Sequence, residues 1–417
     1  MNMKISKKFA VVSVFTIMSV SIICSQSLDS WKASTELSDK LTKSRSGINY
    51  YEDKVPAYTL PDVLAGSSGK RITSAGKWKK FRRPEVLELF RENVYGRVPS
   101  TPFLKSFRIV NEDRNAMNGD ATLKQADITI DSEGKSLVIH LILFVPNKVK
   151  KPVPAFLLIN NRDISNIDPT RKVKSEFWPA EDVIARGYAI AAFYNADVDP
   201  DNYDEFKNGI HEVLDRGRGP DSWGTIAAWA WGASRCMDYF ETDKDIDSKR
   251  VAVVGHSRGG KTALWAGAED QRFAMVVSNE SGCGGAALAR RKYGETIARI
   301  NSSFPHWFCT NYRKYNNNEV ALPVDMHMLM ALIAPRAVYV TSADEDLWAD
   351  PRGSYLSLYH SVPVFQLLKT KTFLPEAMPP LNEPVHGGMV GYHVRSGAHN
   401  MLLKDWNWFM DFADKVL

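Results

Sequence analysis

The sequence predicts a mixed α/β fold, a three-layer sandwich whose helices cover both faces of a mostly parallel sheet, with antiparallel strands at its start. Three observations carry the prediction. The continuous apolar runs AFLLIN (155–160) and YAIAAFY (188–194) flank a helical stretch, EFWPAEDVIARG, which is βαβ grammar for a sheet buried on both faces. Upstream, SFRIVNED, ATLKQADITI and SLVIHLILFVPN alternate apolar and polar residues, as antiparallel strands with one wet face do. Finally, the apolar run VAVV leads into Gly255-His256-Ser257-Arg258-Gly259 and then into a helical KTALWAGAEDQ.

That last stretch organises the rest. A Gly-x-Ser-x-Gly between a buried strand and a helix is the nucleophile elbow of the α/β-hydrolase architecture, in which a tight turn presents the Ser at the sheet edge. Gly at both flanking positions lets strand and helix approach without a Cβ clash. The remaining elements follow in order. PEVLELFRE (84–92) has Pro at a first helical position and apolar residues at helical spacing, so it reads as a helix. DSEGK (131–135) is hairpin chemistry. WGTIAAWAWGASRCMDYF (223–240) is a long helix, FAMVVSNES and AVYVTSADED are strands, and PRGSYLSLYHSVPVFQLL is a helix. A short strand near 389–394 and the helix MLLKDWNWFMDFADKVL close the chain.

Composition bounds the rest. Hydrophobic residues at 44% and charged residues at 24% are globular values, so 417 residues suffice for a large core. Lys4, Lys7 and Lys8 precede an apolar stretch, 9–23, shorter than the roughly 20 residues of a membrane span. Residues 1–25 therefore read as a signal peptide and the protein as exported to the periplasm or medium. Cys24 offers a lipoprotein anchor, but Ile22 and Ile23 lack the small side chain expected before a lipidated Cys. Without the three leader lysines the formal charge drops from +5 to +2, which argues against a nucleic-acid partner. The expected division is a polar linker over 26–55 and a single catalytic domain with an N-terminal extension over 56–417, working as a monomer. Cys236, Cys283 and Cys309 show no CxxC spacing, which leaves small buried thiols or one bridge between Cys283 and Cys309.

A nucleophilic Ser257 needs a base, and in this architecture the acid and then the His follow it in chain order. Order leaves His386, His393 and His399. His399 lies in the small-residue loop SGAHN (396–400), where the base belongs, whereas His393 falls within the last strand. Neither HExxH nor a helical His pair is present, so no metal is expected, and without a flavin, nicotinamide or phosphate motif no cofactor is expected. The acid stays open between Glu280, ending VVSNE, and Asp344 or Asp346, ending the next strand; position alone favours the later pair. The Arg258 backbone N–H is placed by the elbow to meet an oxyanion. Lys261, one turn beyond Ser257, is either a ligand for substrate hydroxyls or a solvated helix residue. Trp348 and Trp307, in loops at the same edge, suit stacking on a sugar ring.

GHSRGGK (255–261), NESGCGG (279–285) and SGAHN (396–400), with Trp78, Arg82-Arg83-Pro84-Glu85 and Val94-Tyr95-Gly96-Arg97, resemble the glucuronoyl esterases, carbohydrate esterase family 15. The resemblance runs from about Tyr50 to the C-terminus. It implies cleavage of esters between 4-O-methyl-D-glucuronic acid on xylan and lignin alcohols, with Ser257 as nucleophile, His399 as base and the Arg258 guanidinium as a second oxyanion donor. It further implies Glu280 as acid, with Asp346 as the alternative or second acid used in some bacterial members. Fungal members bridge two cysteines at positions that here are His256 and Asn400, so the chain resembles the bacterial branch. The rival readings are an acetyl-xylan or cephalosporin-type deacetylase and a noncatalytic carbohydrate-binding protein on the same fold.

Overall fold

The computed structural model describes residues 31–67 and 69–417; the leader and Cys24 lie outside the described residues. In chain order the strands are β1 (Leu104–Ala116), β2 (Ala121–Ser132), β3 (Lys135–Pro146), β4 (Val153–Asn160), β5 (Ala189–Tyr194), β6 (Ile246–His256), β7 (Met275–Asn279), β8 (Ala337–Ala343), β9 (Val385–His386) and β10 (Val390–Arg395). They form one sheet in the order β1-β2-β3-β5-β4-β6-β7-β8-β10-β9. From β5 to β10 every neighbouring pair is parallel, while β1, β2 and β3 join the β5 side antiparallel and β9 closes the other edge antiparallel. The expected hairpin forms between β2 and β3, with Glu133 and Gly134 both at positive φ, as a two-residue turn of that hand requires.

The continuous apolar runs have a direct cause. Along β4, Leu157 and Ile159 enter one core while Phe156 and Leu158 enter the other; along β6, Val251 and Val253 part from Ala252 and Val254 in the same way. Each face therefore needs its own helical cover. Helices Thr225–Phe240, Arg258–Glu269, Met326–Ile333 and Pro351–Leu367 bury Trp229, Trp265, Leu329 and Leu358 in the first core. Helices Ala180–Ala185 and Leu403–Val416 bury Val183, Trp406 and Phe409 in the second. Each such large side chain contributes about 1.5–3 kcal/mol on burial. No helix among the described residues is long and apolar enough to cross a membrane.

One expectation changes, and one open alternative is decided. Residues 31–55, expected within a polar linker, instead carry the helix Thr35–Ser44, capped by the Ser34 hydroxyl accepting from Leu37 N–H. Its Leu37 and Leu41, one turn apart, pack with Trp31 and Ile48 against Tyr50, Tyr293 and Leu347. Glu52, at the end of the segment, is buried between two arginines, with Oε1 2.7 Å from Arg291 and Oε2 2.9 Å from Arg352. Those partners lie 239 and 300 residues away in the chain, so the local sequence carries no sign of them. The bridge weighed between Cys283 and Cys309 is also absent: Cys236, Cys283 and Cys309 are buried free thiols.

Candidate active site

The parallel strands bring the ends of β6, β7, β8 and β10 to one edge. β6 ends at His256, and Ser257 follows at φ 56° and ψ −121° before the helix Arg258–Glu269 begins. This left-handed conformation is strained for a side-chain-bearing residue and marks a turn held by its surroundings. Ser257 N–H donates to Asn279 O at 2.8 Å, fixing the bend to the end of β7. The glycine requirement is met as expected: a Cβ on Gly255 would run into the Gly259 carbonyl, and one on Gly259 would lie 3.0 Å from Asn161 Oδ1. The Arg258 N–H, first of the helix, belongs to the amides that have no intrahelical acceptor.

β10 ends at Arg395, and the loop after it carries His399. His399 Nδ1 lies 2.7 Å from Asp346 Oδ2 and 3.2 Å from Glu280 Oε2. Both candidate acids thus reach one ring nitrogen. The expected ranking places Glu280 first; by distance the closer carboxylate is Asp346, while Glu280 also accepts from Arg395 Nη2 at 2.6 Å and from Asn400 N–H at 3.0 Å. Asp344, the other candidate on that strand end, accepts from Gly397 N–H at 2.8 Å and so shapes the loop. Burial depresses the His399 imidazole, but Asp346 and Glu280 outweigh it and lift its pKa to about 9. Burial also pushes the Glu280 carboxyl above the usual range; Asp346 adds to this, against the pull of His399 and Arg395. Two adjacent carboxylates make a second negative charge costly until the imidazole gains its proton.

Ser257, Arg258, Lys261, Glu280, Trp307, Asp346, Trp348 and His399 line one cavity of about 400 Å³. Every expected site residue is therefore brought together, though not in the expected state. Lys261 is buried, and its ammonium donates to the carbonyls of Ser281 (2.5 Å) and Cys283 (2.7 Å), with Glu295 at 3.6 Å. It is neither a solvated helix residue nor a free donor. The Arg258 guanidinium pairs with Asp201 and lies 4.9 Å above the Trp307 ring. Trp307 is almost wholly buried, stacked on Phe304 at 3.7 Å. Trp348 keeps partial exposure and carries Arg45 over its ring at 4.3 Å. His393 is buried in β10 against Asp405, and neither it nor His386 lines the cavity.

Four contributors were missed. Asp201 accepts from Arg258, from His306 Nε2 at 2.9 Å and from Trp307 Nε1 at 2.7 Å. Burial favours its neutral form, yet these donors hold its carboxyl below the usual range. His256, beside the nucleophile, bonds Asn279 Oδ1 through Nδ1 at 2.5 Å and packs its ring 4.4 Å from that of His399; burial keeps it neutral. Arg395 donates to the carbonyls of Ser396, Ala398 and Asn400 and so sets the histidine loop. Arg45 enters from the N-terminal segment. The one sequence signal among them is Arg395, an arginine closing the last parallel strand four residues before the base.

A strained serine at the strand-to-helix turn and a carboxylate-flanked histidine in the same cavity define a hydrolase of the α/β-hydrolase class. The family described as glucuronyl esterase of fungi matches residues 128–369. A carbohydrate esterase, MZ0003, from an unknown prokaryotic organism is 42% identical over 403 residues, covering 88% of this chain and 92% of its own. The 4-O-methyl-glucuronoyl methylesterase 1 of Phanerochaete chrysosporium is 38% identical, over 74% of this chain and 62% of its own. Among solved structures, a promiscuous CE15 esterase from a marine bacterial metagenome superposes with a TM-score of 0.83 at 42% identity, covering 89% of this chain and all of that one (100%). A glucuronoyl esterase from Solibacter usitatus gives 0.82 at 40%, covering 87% and 99%. The chain belongs to the glucuronoyl esterases, carbohydrate esterase family 15.

Proposed function

We propose that this esterase hydrolyses 4-O-methyl-D-glucuronoyl esters of the kind that join xylan to lignin, through an acyl-enzyme on Ser257. The Ser257 hydroxyl attacks the ester carbonyl while His399 takes its proton through Nε2 and then delivers it to the leaving alcohol. Water, deprotonated by the same imidazole, releases the uronic acid and restores the serine. Asp346 fixes the tautomer through Nδ1 and, with Glu280, stabilises the imidazolium. The Arg258 N–H meets the developing oxyanion, and its guanidinium, held by Asp201, adds a charged donor on the same side. Glu295, its carboxylate set by the buried Lys261 ammonium, is the polar floor that accepts from sugar hydroxyls, and Trp348 a wall for the pyranose face. The basic and apolar leader supports export, where such polysaccharides are met.

The observation carrying this reading is His399 Nδ1 held between two carboxylates in the cavity that Ser257 also lines. Turnover of benzyl glucuronate, with none on acetylated xylan, is the expected outcome, together with fluorophosphonate labelling lost in Ser257→Ala. Deacetylation of xylan without glucuronate-ester cleavage would reject the substrate assignment. Absence of labelling would reject the nucleophile.

A further inference from the structure

The N-terminal segment is built into the cavity wall. Besides the Glu52 ion pairs, Asn49 O accepts from Gly294 N–H at 2.9 Å, and Tyr50 O accepts from Tyr293 Oη at 3.1 Å. Gly294 directly precedes Glu295, whose N–H donates to Trp348 O at 3.0 Å, so the segment is tied to two lining residues. Arg45, which ends the helix Thr35–Ser44, is thereby delivered to the cavity mouth and seated over Trp348.

The cavity is lined by four cations, Arg45, Arg258, Lys261 and Arg299, and three carboxylates, Glu280, Glu295 and Asp346. Most of these charges are matched: Arg258 with Asp201, Lys261 with Glu295, Glu280 with Arg395, and Asp346 with His399. Arg45 and Arg299 are exposed, and among the described residues neither has a carboxylate partner. The Arg45 guanidinium lies on the indole face and interacts with the Tyr50 phenol, which leaves its remaining N–H groups for a planar acceptor. Guanidinium groups donate only, so the complement is an acceptor-only group such as a carboxylate; a neutral hydroxyl uses half its capacity there.

We propose that Arg45 and Arg299 form a carboxylate subsite at the mouth of the catalytic cavity, taking a second, unesterified carboxylate carried by the substrate. The proposal rests on the uronate-ester reading above and extends it to acidic substrates. The carboxylate comes either from the alcohol side or from a neighbouring uronic acid, and the test separates the two. One arm compares 4-carboxybenzyl with benzyl glucuronate. The other compares a diglucuronide monobenzyl ester bearing one free carboxylate with its neutral counterpart.

In dilute buffer the wild type should favour the charged ester of at least one arm by roughly fivefold in kcat/KM, the preference shrinking in concentrated salt. The ratio should collapse toward one in the double variant Arg45→Ala/Arg299→Ala and survive in part in Arg45→Lys. No preference in either arm, or a preference untouched in the double variant, overturns the subsite. If no glucuronate ester is turned over, the functional reading fails on its own. Calorimetric titration of Ser257→Ala with diglucuronic acid then decides the subsite. Salt-sensitive binding weakened several-fold by the double substitution supports it, and unchanged or absent binding overturns it.

Discussion

Arg395 and Glu280 form an ion pair with Nη2 2.6 Å from Oε1, and neither side chain keeps more than 2% of its surface exposed. Arg395 spends its other donors on Asp405 and on the carbonyls of the loop that carries His399. The pair therefore couples the acid-bearing end of β7 to the base-bearing loop after β10. Arg395→Met strands the Glu280 charge, and breaking a buried pair costs roughly 3–5 kcal/mol. Denaturant unfolding should show that loss, and substitution of both partners by apolar residues should recover part of it while activity stays low.

Asp346→Asn and Glu280→Gln should separate two carboxylates that touch one nitrogen. Asp346 is the closer, so its loss should lower kcat/KM by roughly 10²–10⁴, and the loss of Glu280 by less. The pH profile gives an independent measure. His399 acts as a base only when neutral, so kcat/KM is lost as pH falls through its folded value of about 9. Removing Asp346 should move that limb downward toward the ordinary imidazole value of about 6.5. A limb that stays in place in Asp346→Asn and drops in Glu280→Gln would exchange the two roles.

Asp201→Asn keeps the shape of the side chain but weakens its hold on Arg258, His306 and Trp307 together. Displacing an oxyanion donor by about 1 Å loses on the order of 10²-fold, so kcat should fall by about that much with KM little changed. An equal rise in KM would instead assign Asp201 to substrate binding through Trp307.

Acid should destabilise the fold through histidines kept neutral by burial. His327 donates Nε2–H to Pro61 O at 2.9 Å, and burial pushes its pKa down to about 4. The unfolded chain binds that proton at about 6.5, so this contribution is complete above pH 6.5 and is lost as pH falls toward 4. Over that window it amounts to roughly 3 kcal/mol. His327→Gln should flatten the pH dependence of the unfolding midpoint in that range.

Periodicity carried most of the fold to the surface of the sequence. The runs AFLLI and VAVV are apolar at every position because their alternate side chains enter different cores, and chain order cut nine histidines to three, of which the small-residue loop singled out His399. What stayed hidden depended on distant pairing. The helix Thr35–Ser44 half-buries two leucines in a polar stretch, and Asp201 and Arg45 acquire their surroundings only from partners far away in the chain. Lys261 shows the same limit from the other side: its position on the helix is read correctly, while its burial comes from carbonyls of a loop twenty residues on.

The lock between Glu52 and Arg291 bears on how the enzyme is handled in practice. A recombinant fragment started at residue 56, where inspection of the sequence would draw the boundary, discards the acid, leaves Arg291 to Asp350 alone and strips Arg352 of its carboxylate partner among the described residues. Such a fragment would be expected to precipitate or be degraded during expression. Extending the cloned region by a few dozen codons upstream is the remedy, and any affinity tag belongs ahead of Trp31.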